Sequence, residues 1–340
     1  MTGVHESSAA IFATLVAGSA LKLGAGLYLY RSKLSPASRI EGYEFVGRVS
    51  ELWCFPIKSF RGLQIEEGEC TKFGLKWSGV TDRHFTVATA NGVYLTQRQE
   101  PTMALISPGL RDNEIQLNAP GMEAISIPAN PPVNAEGLRR VTVKTDTMTS
   151  LDCGDAVAEW LCRFFKREGL RLHFSAPGLD KRDSYKNLKP WPHLARPGDL
   201  MAFADNCSYN VLTKASIHLL NQRLQKPVTA CNFRPNIVVE GCPAFAEDMW
   251  TTLHIGDVEL RAIDHCSRCL MITVDPEKGV KDQEEEPLST LKKFRLLEPY
   301  GPKPLFGVNY TLDKTGMIRV GDAVYAKRGS IQVLPTTAAP

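Results

Sequence analysis

The densest group of reactive side chains in the sequence is His265-Cys266-Ser267-Arg268-Cys269, directly ahead of the apolar run LMITV. Two thiols separated by two intervening residues admit several chemistries. A structural zinc site needs four ligands, and no second CxxC or HxxxH completes one. A thioredoxin-like redox pair normally opens a helix, whereas LMITV reads as a strand. Two buried structural cysteines satisfy the same spacing. Arg268 adds a fourth reading. A guanidinium beside Cys269 favours thiolate, the form that binds soft metals, and its forked donors suit phosphate.

Three other segments carry matching charge. Phe55-Pro56-Ile57-Lys58-Ser59 puts a cation and a hydroxyl just past a strand, and Asp82-Arg83-His84 puts a cation at the start of a hairpin. Asn232-Phe233-Arg234-Pro235-Asn236 puts a third ahead of IVVEG. Taken singly, each is equally a solvated surface. All three lie at predicted strand ends, where loops gather into sites. Together they suit one phosphate-bearing ligand.

The elements that must position these residues are mostly short strands. Val46, Val49, Leu52, Cys54 and Ile57 give a rough strand pattern broken at Pro56. Residues 84–98 predict a hairpin around Asn91-Gly92, and Pro128, Pro131 and Pro132 mark a loop. Tight hairpins are predicted at Gly256-Asp257 and Gly321-Asp322, each between apolar runs. Two helices stand out. Over 153–168, Val157, Trp160, Leu161 and Phe164 share one face, with Asp152 as N-cap and Gly169 as stop. Over 213–224, Ile217, Leu220 and Leu224 do the same. Both faces read as core packing. The Pro-rich stretch 186–199 is irregular, and a domain boundary is placed near 175–185. The pattern predicts an α+β, β-barrel-rich body, divided as 44–180 and 181–330 with a tail at 331–340.

Ahead of the body, Ala9 to Tyr30 is apolar apart from Lys22, and at ~1.5 Å per residue it reaches about 33 Å, enough to cross a hydrocarbon core. Arg31, Lys33 and Arg39 follow it, so the positive-inside rule keeps the body on the cytosolic side. Residues 1–43 are thus expected to be an uncleaved signal anchor, a single transmembrane helix over about 9–30 plus a polar linker, with a cleaved targeting peptide and a packed N-terminal helix as the alternatives. The whole chain of 340 residues has a net charge of +3, with 43% hydrophobic and 23% charged residues, an ordinary globular composition. No Lys/Arg stripe interleaved with aromatics occurs, which argues against a nucleic-acid partner. Nine scattered cysteines, an odd number, argue for reduced thiols rather than a disulfide scaffold.

FPIKS, TDRHF, TQRQEP, NFRPNIVVEGC, GDVEL, CSRC followed by TVDP, and PLFG occur in this order. From about residue 46 to 327 the body resembles the mitochondrial amidoxime-reducing component family. That family has an N-terminal β-rich MOSC domain followed by the MOSC domain proper, named for the C-terminal part of molybdenum cofactor sulfurase. The resemblance implies a molybdenum–molybdopterin cofactor (Moco), with Cys269 as the protein thiolate on the metal and the pterin dithiolene supplying the other sulfurs. It implies that Lys58, Ser59, Arg83, Arg234, Ser267 and Arg268 hold the pterin and its phosphate. Asp205 matches an acidic residue near the metal, in a position to orient water or relay a proton. Asn206 and Asn309 fall at cofactor-contact positions, and Cys242 matches a family cysteine with no catalytic role assigned.

The implied reaction is two-electron reduction of N–O bonds in amidoximes, hydroxamic acids and N-hydroxyguanidines, with molybdenum cycling between its VI and IV states. Electrons would come from NADH through cytochrome b5 reductase and cytochrome b5. The chain has no G-x-G-x-x-G fingerprint of its own for a nicotinamide, in keeping with a separate donor. The implied location is the outer mitochondrial membrane, with the body facing the cytosol. Two other classes remain open: a molybdenum-cofactor carrier or sulfur-transfer protein without N-reductase activity, and a membrane-tethered binding protein.

Overall fold

In the computed structural model, residues 41–187, 194–298 and 300–331 are described. The chain divides into two units, Met1–Glu44 and Phe45–Pro340. The anchor expected over 9–30 lies outside the described residues, as do 188–193 of the Pro-rich stretch and nearly all of the tail. Among the described residues, no helix is long and apolar enough to cross a membrane.

Alternation of apolar and polar side chains makes Glu44–Cys54 a long strand that turns Val46, Val49, Leu52 and Cys54 inward. It stands between Ala323–Arg328 and Ile237–Glu240 and so closes a seven-stranded barrel. The order around it continues through Tyr209–Thr213, Leu305–Lys314, Val258–Ser267 and Trp250–Ile255, and Leu63–Ile65 is added outside the circle. Tyr209–Thr213 and Ile237–Glu240 are parallel, so a crossover must join them. That crossover carries helix Lys214–Asn221, capped as expected by Thr213, whose side chain accepts from the Ser216 N–H. Val211, Val239, Leu253, Leu260, Val308 and Val324 fill the interior. Tyr310 is also buried there, and its hydroxyl donates to the Trp250 carbonyl at 2.7 Å.

A smaller sheet runs Leu138–Val143, Asp146–Asp152, Arg171–Phe174, Phe85–Ala88. Helix Asp155–Phe165 buries Val157, Trp160 and Leu161, the face read from the sequence. Its start differs from the expectation. Gly154 is the cap residue, because the Asp152 carboxylate is engaged by Arg171 and accepts only the Gly154 N–H, at 2.9 Å. It ends at Lys166 in a left-handed turn, before Gly169.

The hairpin at Gly256-Asp257 forms, with Ile255 paired to Val258. Gly321-Asp322 is a turn but not a hairpin. Gly316–Arg319 pairs with Glu67–Thr71, whereas Ala323–Arg328 joins the barrel. The Val49 N–H donates to Asp322 and the Gly321 N–H to the Val49 carbonyl, drawing the chain from one sheet into the other. The hairpin expected over 84–98 is cut short on its return arm. Leu95 still donates to Val87, at 2.8 Å, but Gln99 and Glu100 then donate to the Thr96 carbonyl and curl the chain. That curl matters for the site, since it contains Arg98.

The barrel seam depends on Gly47. Its φ is +152°, and a Cβ there would lie 2.1 Å from the Glu240 carbonyl oxygen. Gly47→Ala is expected to destabilise the protein by well over 1 kcal/mol. Gly121→Ala, at φ +73° with nothing within 4 Å, is expected to cost only the backbone penalty of about 1 kcal/mol. Urea unfolding midpoints check the ranking, and equal midpoints contradict it.

Candidate active site

All ten residues singled out from the sequence line one cavity of about 350 Å³: Lys58, Ser59, Arg83, Asp205, Asn206, Arg234, Ser267, Arg268, Cys269 and Asn309. Lys58 and Ser59 follow the seam strand, Asp205 and Asn206 precede Tyr209–Thr213, and Asn309 lies within Leu305–Lys314. Ser267 ends Val258–Ser267, and Arg268 and Cys269 follow it. Ser59, Arg83 and Arg234 have φ values of +70°, +50° and +56°. Such backbone costs of order 1–2 kcal/mol per non-glycine residue, and it concentrates where side chains must be aimed at a site.

The cavity wall is cationic. Lys58, Arg83, Arg98, Lys144, Arg234, Arg268 and Lys303 face it, against the carboxylates Asp205 and Asp264. The Lys58 ammonium meets Asp205 at 2.7 Å. Burial pushes Lys58 down to about 8 even though the Asp205 charge raises it. For Asp205, burial alone would raise the carboxyl, but Lys58, Lys144 and Arg98 hold it well below the usual carboxylate range. Arg83 pairs with Asp82 and donates to the Arg234 carbonyl at 3.0 Å. The Arg83 and Arg234 guanidiniums lie 4.8 and 4.3 Å from the centroid of the Phe55 ring. Burial and then the Arg83 charge push Arg234 down to about 9. Its Nη1 donates to the Phe60 carbonyl at 2.7 Å, and its Nη2 has no partner. The Ser59 hydroxyl and the Asn309 Nδ2 are also buried without partners.

Two expectations about the cysteine segment change. Leu270–Thr273 is a 3-10 turn rather than a strand, because the Ile272 N–H bonds back to the Cys269 carbonyl and buries Ile272 and Thr273. The guanidinium at Cys269 is also a different one. Arg268 donates to the carbonyls of Phe306 and Phe233, each at 2.7 Å, and to Asn210 Oδ1 at 3.1 Å. It braces the cavity wall. Arg98 Nη1 instead donates to the Cys269 sulfur at 3.7 Å, while its Nη2 donates to the Tyr94 hydroxyl at 3.0 Å. Cys266 also lines the cavity, but burial raises its thiol and keeps it protonated. The sequence reading missed Arg98, Lys144, Asn210, Asp264 and Tyr300. Only Arg98 carried a signal, as the arginine of TQRQEP.

Residues 46–168 match the family described as MOSC N-terminal beta barrel domain, and residues 199–325 match the MOSC domain. Fold and site therefore define a MOSC-domain protein. The chain is 41% identical to Mitochondrial amidoxime-reducing component 1 of Mus musculus over 285 residues, 82% of each chain. It is 39% identical to Mitochondrial amidoxime-reducing component 1 of Homo sapiens over 295 residues, 85% of this chain and 86% of that one. It is 38% identical to the Danio rerio protein of the same name, over 82% and 85% of the two chains. The chain belongs to the mitochondrial amidoxime-reducing component family.

A MOSC domain takes a molybdenum cofactor, and the donor set here fits one. A phosphate needs charged and neutral N–H and O–H donors, which Arg234, Ser59 and Asn309 hold unpaired at the wall. A soft metal needs a thiol at the same cavity, which Cys269 offers. Among the described residues, no group of three or more His, Cys, Asp or Glu side chains could hold a metal ion.

Asp205→Asn removes the charge that raises Lys58, so the Lys58 amine becomes neutral in a larger fraction of molecules near pH 8. A severalfold faster acetylation of Lys58 by acetic anhydride, followed by peptide mass spectrometry, is expected. An unchanged rate contradicts the pairing.

Proposed function

We propose that the chain is a molybdenum-cofactor-dependent reductase of N-hydroxylated compounds: amidoximes, hydroxamic acids and N-hydroxyguanidines. The observation that carries this reading is the single cavity that combines Cys269, an excess of cations and three unpaired buried donors. Family membership supports the same chemistry. In this reading Cys269 is the protein's ligand to molybdenum, and the bound cofactor supplies two-electron redox chemistry. Lys58, Ser59, Arg83, Arg234 and Asn309 bind its anionic and polar groups, Ser267 and Asn206 border it, and Arg268 stiffens the wall behind it. Arg98 orients the Cys269 sulfur. Asp205, held ionised beside Lys58, orients water or substrate N–H groups and is a poor proton donor.

Electrons would arrive from NADH through cytochrome b5 reductase and cytochrome b5. The seven cations at the cavity would favour an acidic carrier protein over a basic one. The names of the relatives support a mitochondrial location. Attachment to the outer membrane through residues 9–30, with the body in the cytosol, completes the reading.

The full chain, loaded with molybdenum cofactor and supplied with a reduced dye, is expected to convert benzamidoxime to benzamidine. Cys269→Ala should abolish turnover, and Cys266→Ala should retain most of it. Confirmed molybdenum without turnover would overturn the reductase reading in favour of a cofactor carrier. Equal loss in both variants would overturn the single-thiolate assignment.

A further inference from the structure

Cutting an N–O bond reductively consumes protons as well as electrons. For an amidoxime, two electrons from the external reductant and two protons break the bond. The nitrogen keeps its carbon and becomes an amidine, and the oxygen leaves as water. The protein must therefore bring an acid to the cavity. The two carboxyls at the wall, Asp205 and Asp264, are not equivalent. Asp205 is ion-paired to Lys58 at 2.7 Å, with Lys144 and Arg98 also favouring its charged form.

Asp264 is in the opposite situation. It is 5% exposed, lines the same cavity, and has no ion pair among the described residues. The strand Val258–Ser267 is irregular against Leu305–Lys314 between Ala262 and Asp264, where Asp264 comes to face Asn309. This irregularity sets Asp264 on the cavity side, while His265 is buried toward Asp248. The Asp264 carboxyl accepts a hydrogen bond from the Tyr300 hydroxyl, and Tyr300 also lines the cavity. The His265 backbone N–H bonds to the same carboxyl. Nearby titratable groups are Cys266 on its own strand, the His265 ring beside Tyr300, and Asp248 beyond His265.

We infer that Asp264, with Tyr300 bonded to it, supplies a proton to the leaving oxygen in this cavity. The assignment rests on the reductase reading for its substrate and on the wall geometry for its residues. Burial pushes the Asp264 carboxyl up to about 6, and the bonds from Tyr300 and His265 pull it partly back. The carboxyl is thus proton-bearing in mildly acidic solution, gives its proton to the departing oxygen, and is recharged from cavity water. Tyr300 fixes the carboxyl's orientation throughout.

The sign of the pH dependence follows. Turnover should be highest below about pH 6 and fall as pH rises through the Asp264 value. The test uses the loaded full chain with a reduced dye and benzamidoxime, in the wild type and in Asp264→Asn, Asp264→Glu and Tyr300→Phe. Asp264→Asn should keep its molybdenum and its KM, lose about a hundredfold in kcat, and lose the falling limb of the profile. Asp264→Glu should restore the limb. Tyr300→Phe, without a donor to the carboxylate, should move it to higher pH. Wild-type kcat and an unchanged limb in Asp264→Asn overturn the inference.

A second readout needs no turnover and separates this inference from the reductase reading. Infrared titration should show a protonated carboxyl band in the wild type that is absent from Asp264→Asn. If the band is missing from the wild type, the relay is overturned whatever the substrate result. If it is present but benzamidoxime is not reduced, the reductase reading fails and the acid remains.

Discussion

Burying Arg234 with one guanidinium nitrogen unpartnered, against Arg83 on a shared aromatic ring, opposes folding by several kcal/mol unless something else meets the charge. Lys58, Lys144 and Arg98 add to the same wall, and Asp205 balances only part of it. The cavity is thus a place where the folded chain is held under electrostatic strain. Most other features of the site can be understood as ways of tolerating it. Phe55 lies between two guanidiniums and a hydrophobic barrel, Arg268 spends its donors on carbonyls, and three left-handed residues aim side chains inward. An anionic ligand relieves this strain, so its binding and the stability of the fold are linked.

The barrel is what makes such strain tolerable. Its closure by a strand from the N-terminal half brings Lys58 and Ser59 to the cavity that Asn210, Ser267, Cys269 and Asn309 also line. Cys269 lies two residues past a barrel strand with its carbonyl fixed by the following turn. A side chain on so rigid a base loses little freedom on binding a ligand.

Local patterns in the sequence were a good guide to the elements and to the residue types at the site. Two apolar runs around Gly256-Asp257 form the hairpin they imply, and both helices bury the faces their periodicity implies, although the second ends at Asn221 and leaves Leu224 beyond it, partly buried. The same pattern at Gly321-Asp322 leads elsewhere, because which sheet receives a strand is decided by partners far along the chain. Arg268 and Arg98 show the same limit. Adjacency in sequence pointed to Arg268 as the neighbour of the Cys269 thiol, yet the carbonyls of Phe306, in a barrel strand, and Phe233, at the end of a short helix, take its donors. Arg98 reaches that sulfur from 171 residues away. Asp264 was invisible for a related reason: it faces the cavity next to a strand irregularity that the local pattern does not mark.

In the proposed reductase, Cys269 alone joins the protein to molybdenum. X-ray absorption at the molybdenum edge of the loaded protein tests it most directly, because the sulfur shell counts ligands without any assay of turnover. Cys269→Ala should lose one sulfur from that shell while Cys266→Ala keeps the full set. A sulfur shell unchanged in Cys269→Ala, or diminished in Cys266→Ala, would contradict it.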